Sequence, residues 1–196
     1  MGLFRSRGRR RRASLILGSS ILVTIAAAGA YLGVLRLTGN FATIVPGEAY
    51  RSGQPSAADI AAYERSYGIR TIVNLRGENK GTGWYDAETA AARKLGIDHI
   101  DFRMSARREL SQAEAAQLVA ILAQAKKPLL IHCDWGADRT GLVSALYAAA
   151  IGKLGEEAAE RHFSLRYGHL PLPITANYAM DRTFEALEPW LGYPNS

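Results

Sequence analysis

Apolar positions group in two ways along this chain. Ala13 to Leu35 runs 23 residues without a charge. A helix of that length reaches about 35 Å, enough to cross a bilayer. From Phe41 onward, short apolar runs alternate with amphipathic stretches. Thr71 to Leu75 is β-branched and apolar, and Ile97 to Phe102 is a second such run, so both read as strands. Pro128-Leu129-Leu130-Ile131 is a third. Helix signals lie between them. Ser56-Ala57-Ala58-Asp59 opens a helix that Gly68 stops, and Asp86 to Leu95 forms another, ended by Gly96. Ser111-Gln112-Ala113-Glu114 is a capping box opening a helix to about Ala125, with Ala115, Leu118, Ile121 and Leu122 on one apolar face. Helices at about 141–151, 155–167 and 175–190 follow. This alternation predicts an α/β fold, a mainly parallel sheet flanked by helices, preceded by a single transmembrane helix.

Charge sharpens the division. Residues 1–12 carry Arg5, Arg7, Arg9, Arg10, Arg11 and Arg12, and no acid precedes Glu48. Residues 1–12 therefore read as a basic cytoplasmic tail and 13–35 as a transmembrane anchor, with the rest of the chain outside the cytoplasm, periplasmic in a Gram-negative cell. The rival reading is a signal peptide cleaved near Ala28-Gly29-Ala30, or a weak twin-arginine signal, giving a secreted protein. The apolar stretch continues to Leu37, broken only by Arg36, which favours the anchor. The chain carries +6, of which residues 1–37 supply seven arginines and no acid, so the remainder sums to −1. The basic balance belongs to the N-terminal segment, and no nucleic-acid surface is expected. Thr38-Gly39-Asn40 joins the segment to one domain of 156 residues, 41–196.

Chemistry concentrates at 132–141, His-Cys-Asp-Trp-Gly-Ala-Asp-Arg-Thr-Gly. Cys133 is the chain's one cysteine, so no internal disulfide or multi-cysteine metal site is possible. It sits where a buried strand meets a helix N-terminus, with Arg139 six positions on. Unpaired N–H groups there form an anion nest, which Gly136 relieves sterically. Arg139 adds a bidentate fork for phosphate. The same field favours a thiolate, which can attack phosphorus in line to give a phosphocysteine that water later hydrolyses. Thr140 can donate to the sulfur as it leaves. The loop and Arg139 neutralise the developing charge, so neither metal nor cofactor is expected.

With these residues the chain resembles the cysteine-dependent protein tyrosine phosphatase superfamily, whose signature HCxxGxxRTG it matches in full. Looser resemblance covers about residues 41–175, where Tyr50-Arg51-Ser52-Gly53-Gln54-Pro55 and Thr71-Ile72-Val73-Asn74-Leu75-Arg76 look like compact bacterial and fungal dual-specificity members. The resemblance implies Cys133 as nucleophile, Arg139 as phosphate clamp, and a cradle from the amides of Asp134, Trp135, Gly136, Ala137, Asp138 and Arg139. It also implies a general acid about thirty residues before the cysteine. Asp101, 32 residues before, is the first choice, with Asp98 nearby. Some lipid-directed relatives use an Asp inside the loop, which points to Asp138 or Asp134.

Arg76 and Arg103 are expected at the pocket mouth, with Arg107, Arg108 and Arg51 as further cations for an anionic substrate. Arg76 ends a strand whose C-terminal edge should face the site. His132 is read as a hydrogen-bonding support of the loop, His162 and His169 as ordinary core or surface residues, and Trp135 as packing that can touch substrate. The substrate expected is a phosphorylated protein, or a phospholipid or glycolipid. The rival class is an inactive, membrane-tethered phosphate-binding module. A sulfur transferase lacks this loop spacing. The pattern fixes no oligomeric state.

Overall fold

The computed structural model describes residues 3–193, with side chains from Gly18 onward. The chain divides after Leu37 into two units. The first is a single helix, α1 (Leu3–Leu37). Its segment Gly18–Leu37 has a mean hydropathy of 1.8 and is long and apolar enough to cross a membrane. A signal sequence meets the same criteria. The side chains of the expected basic tail, residues 1–12, lie outside the described residues.

The second unit is built on a five-stranded sheet. Its strands are β1 (Ala42–Val45), β2 (Ala49–Ser52), β3 (Thr71–Asn74), β4 (Asp98–Asp101) and β5 (Leu129–His132), in the order β1-β2-β5-β3-β4. β1 runs antiparallel on the edge, and the other four strands are parallel. The expected mainly parallel α/β sheet is therefore present. Hydrophobic patterning does not reveal β1 and β2, because each is four residues long and Pro46-Gly47 punctuates the segment between them.

Strand residues alternate between two covered faces. Ile72 and Leu130 pack with Ile60, Ala92 and Ile97 on the side of α2 (Ala57–Tyr67) and α3 (Gly83–Leu95). Val73, Leu129 and Ile131 pack with residues of α4 (Gln112–Gln124), α5 (Asp138–Leu146) and α7 (Ala179–Leu191) on the other. Burial on both faces explains why these strands read as continuous apolar runs. The expected caps form. Ser56 with Asp59, and Ser111 with Glu114, make reciprocal capping boxes, and Gly68 and Gly96 end their helices at φ 67° and 68°.

The C-terminal third departs from expectation. The helix expected at 155–167 is only α6 (Glu156–Glu160), followed by a turn and a 3₁₀ turn at Leu165–Tyr167. The carbonyl of His162 accepts a hydrogen bond from Arg51 at 2.9 Å instead of from a helical N–H. Tertiary demand overrides local propensity there.

Candidate active site

Register aligns Ser52, His132, Asn74 and Asp101 along the C-terminal edge of the parallel strands. β5 lies between β2 and β3, so Cys133 leaves the sheet at its middle. The loop 133–137 then enters α5, whose Gly141 N–H donates to the Ala137 carbonyl at 2.8 Å. Cys133 is buried, and the Gly136 N–H donates to its Sγ at 3.3 Å. Gly136 takes φ +72°, which bends the loop back over the sulfur. The thiol thus sits under the N-terminal amides of α5, a ready-made anion site.

Arg139 extends from the first turn of α5 toward the carbonyls of Leu75 and Met104, at 3.4 and 3.5 Å from Nη1. It borders a cavity of about 600 Å³ together with Arg103, Met104, Ser105, Ala106, Arg107 and Arg108. That lining is rich in arginine and contains no carboxylate. Arg76 closes the other flank. Its guanidinium stacks 3.7 Å from the Trp84 ring centroid, donates to Gln54 Oε1 at 2.8 Å and lies 3.7 Å from Asp134 Oδ1.

Three groups brace the loop from behind. Glu88 on α3 accepts from His132 Nε2 at 3.1 Å, from His99 Nε2 at 2.7 Å, and from the Gln54 amide. Burial alone would raise its pKa. The hydrogen bonds from His132, His99 and Gln54 outweigh burial and hold the carboxyl down to about 2. Glu88, Gln54 and Arg76 therefore link His132 to Asp134, the residues on either side of Cys133.

Arg51 is fully buried. Its Nη2 donates to the Gly136 carbonyl at 2.6 Å, its Nη1 reaches His162 Nδ1 at 3.2 Å, and the guanidinium lies 3.8 Å from the Tyr167 ring centroid. Burial lowers its pKa to about 10, so it stays charged at neutral pH. Burial, together with the charges of Arg51 and Arg166, pushes His162 down to about 4. His162 is therefore neutral and offers Nδ1 as an acceptor.

Asp138 is the third brace. His169 Nδ1 bonds its Oδ1 at 2.8 Å, and Asn177 Nδ2 donates to its Oδ2 at 2.9 Å. His169 Nε2 bonds Asp181 at 3.0 Å. Burial opposes the charge on His169, but the two aspartates outweigh it and raise its pKa above the ordinary 6.5. A pKa raised on folding gives stability that is whole below the unfolded value and is lost as pH rises through the folded one. Unfolding free energy is thus expected to fall on the alkaline side of about pH 6.5, and to lose that slope in His169→Gln. Urea titrations at several pH values test this, and parallel profiles for the two proteins would remove His169 from the account.

Comparison with known proteins decides the family. A family model described as "DSP-PTPase phosphatase fused to NAD+ Kinase" matches residues 46–169. The chain belongs to the DSP-PTPase phosphatase family. No curated protein sequence matches. Among solved structures, the chain is similar to TpbA of P. aeruginosa, with TM-score 0.61 and 22% identity over 79% of this chain and 92% of that one. It is similar to the core catalytic domain of the PP-IP phosphatase SIW14 of S. cerevisiae, with TM-score 0.57 and 18% identity over 80% and 94%. PTPMT1 gives TM-score 0.57 and 13% identity over 78% and 98%. These likenesses confirm the dual-specificity phosphatase fold.

Against that family, the expected site residues separate into two groups. Cys133, the loop 134–138, Arg139 and Arg76 come together at the sheet edge, and Arg103 and Arg107 border the cavity. Arg108 does too, but Glu114 binds it at 2.7 Å. Asp101 is occupied otherwise. Its carboxylate accepts from Asn74 at 2.8 Å and from the Tyr85 hydroxyl at 2.6 Å. It also lies two strands from β5, about 10 Å at ordinary strand spacing. Asp98 sits at the opposite end of β4, paired with Lys126 at 3.0 Å. Asp138 is fully engaged by His169 and Asn177. Thr140 Oγ1 is buried without a hydrogen-bond partner, and the bond found at the sulfur comes from the Gly136 amide. Arg51 lies beneath the loop rather than at its mouth, because its guanidinium fills a buried site between Gly136, His162 and Tyr167.

Sequence reasoning missed Glu88, His162 and His169 as supports. Each is joined to the site only by folding, and the Asp138-to-His169 spacing of 31 residues carries no motif.

Proposed function

We propose that this protein hydrolyses phosphomonoesters through a phosphocysteine, with Cys133 as nucleophile and Arg139 as phosphate clamp. The observation that carries the reading is the Cys133 sulfur under the Gly136 amide at the N-terminus of α5, with Arg139 one turn further on. A phosphoryl group seated on the loop amides presents phosphorus to the sulfur. Its equatorial oxygens gain charge as the bond to the leaving group breaks, and the loop amides and Arg139 are the donors that meet that charge. Water then cleaves the S–P bond, and Thr140 is available to donate to the departing sulfur.

Leaving-group protonation sets the substrate class. Asp101 and Asp138 are engaged by other side chains and the arginine-lined cavity carries no carboxylate, which leaves Asp134, partly exposed beside Cys133, as the acid candidate and favours esters whose leaving group departs with little help. Aryl phosphates meet that need, and TpbA has been crystallised with phosphotyrosine. The arginine-lined mouth suits a substrate with further negative charge. We place the protein as a single-pass membrane protein, N-terminus in the cytoplasm and phosphatase domain on the far side, on the strength of the arginines before the apolar span.

The test is metal-free turnover across a series of aryl and alkyl phosphates, for wild type and Asp101→Asn. Rates should rise steeply as the leaving group improves, and Asp101→Asn should cost less than about tenfold, where removal of a general acid costs 10²–10⁴-fold. A deficit in Asp101→Asn that grows with poorer leaving groups would restore Asp101 as the acid. No turnover with any ester, alongside tight phosphate binding, would favour a phosphate-binding module.

A further inference from the structure

An apolar loop is mounted directly on the phosphate-binding loop. The two oxygens of Asp138 hold His169 and Asn177, so both ends of the segment 169–177 are fixed to one carboxylate at the start of α5. Between those anchors the chain reads Leu170-Pro171-Leu172-Pro173-Ile174. All five residues are exposed, and Leu170, Leu172 and Ile174 show 50%, 46% and 93% of their surface. Leu165 and Trp135 of the phosphate loop are exposed too, at 60% and 53%. Exposed clusters of large aliphatic side chains mark contact sites.

The backbone of this loop identifies the kind of contact. Pro171 and Pro173 have no N–H to satisfy. The Leu172 N–H donates to the Leu170 carbonyl at 2.8 Å, and the Thr175 N–H and hydroxyl both donate to the Leu172 carbonyl at 2.9 Å. The N–H groups of Leu170 and Ile174 are the two of the tip left to other acceptors, which the wet headgroup region of a bilayer supplies. Charge agrees. No carboxylate occurs between Glu160 and Asp181, while Arg166 is exposed in that stretch and Arg103 and Arg107 border the cavity. An exposed arginine in the same stretch as an apolar tip suits an anionic bilayer surface.

The linker that follows the apolar segment is short. The apolar helix ends at Leu37, and three residues later Asn40 is buried, donating to the carbonyls of Trp135 at 3.0 Å and Tyr167 at 2.9 Å. Three residues span about 11 Å at most.

We infer that Leu170, Leu172 and Ile174 seat in the interface of the bilayer that holds α1, and so present the phosphate loop to phosphate groups at the membrane surface. The inference rests on the anchor reading and narrows the phosphatase reading to membrane-proximal substrates. Because Asp138 holds both ends of the loop, seating it fixes the height of the catalytic loop above the lipid.

Cys133→Ser leaves no native thiol, so Ile174→Cys in that background takes a single nitroxide label. The full chain is reconstituted in vesicles of phosphatidylcholine and phosphatidylglycerol, with Lys94→Cys on α3 as the exposed control. Relative access to oxygen and to a polar nickel chelate reports depth. The label at 174 is expected about 5–10 Å into the headgroup and acyl boundary, with the label at 94 in water. Equal polar access at the two sites would overturn the inference. So would protection at 174 that appears only with spin–spin broadening between chains, which would assign the loop to a second copy. Turnover plays no part in this readout, so the seating can fail while the phosphatase reading stands, and the reverse.

Discussion

Gly136→Ala is expected to lose at least about 10³-fold in kcat/KM on an aryl phosphate, since misplacing even one oxyanion donor costs 10²–10³-fold. Gly136 is fixed on three sides. Its N–H donates to Cys133 Sγ, its carbonyl accepts from Arg51, and its Cα packs on the end of β2. A methyl group there would lie 2.6 Å from the Gly53 nitrogen and 2.7 Å from the Ser52 carbonyl. Those are backbone atoms of a paired strand, so the loop must move instead. The positive φ adds about 1–2 kcal/mol of its own. Gly47→Ala separates the two effects, because Gly47 has φ +75° with nothing within 4 Å of the added carbon. Its cost should be confined to stability. Kinetics and urea unfolding of both variants check this, and a Gly136→Ala enzyme with wild-type turnover would show that the loop is not held as described.

Arg51→Met should have the opposite signature, with turnover falling about 10²-fold or more while stability holds or rises. Among the described residues no carboxylate pairs with this buried guanidinium, and its Nε has no partner. Such an isolated charge is costly to fold around, and an apolar side chain of similar length removes that cost. The charge serves the site. Arg51 holds the Gly136 carbonyl, and in a trans peptide the Ala137 N–H must then point the other way, where an anion can use it. Phosphate affinity, turnover and melting temperature, measured together on wild type and variant, test the claim. A variant that is less stable yet fully active would make Arg51 a packing residue.

The strand, loop and helix start that carry Cys133 and Arg139, and the sheet behind them, were legible because each depends on local order. His132 to Gly141 is one contiguous strand, loop and helix start, and the capping boxes at Ser56 and Ser111 span four residues each. The supports were not legible, because they join distant parts of the chain. Glu88 meets His132 across 44 positions and Arg51 meets Gly136 across 85. Nothing local distinguishes Glu88 from any other acid on an amphipathic helix. The surroundings of Asp101 were hidden for the same reason. Its distance from Cys133 along the chain suited an acid, but the register of β4 sets its side chain against Asn74 and Tyr85.

The central claim is the covalent intermediate on Cys133. Rapid acid quench of wild type turning over a fast aryl phosphate, followed by peptide mass analysis, measures it directly. A phosphoryl group is expected on the peptide carrying Cys133, formed within the first turnover and absent from Cys133→Ser, which should also be inactive. Turnover by wild type with no phosphorylated Cys133 peptide at any quench time, or sustained turnover by Cys133→Ser, would contradict it.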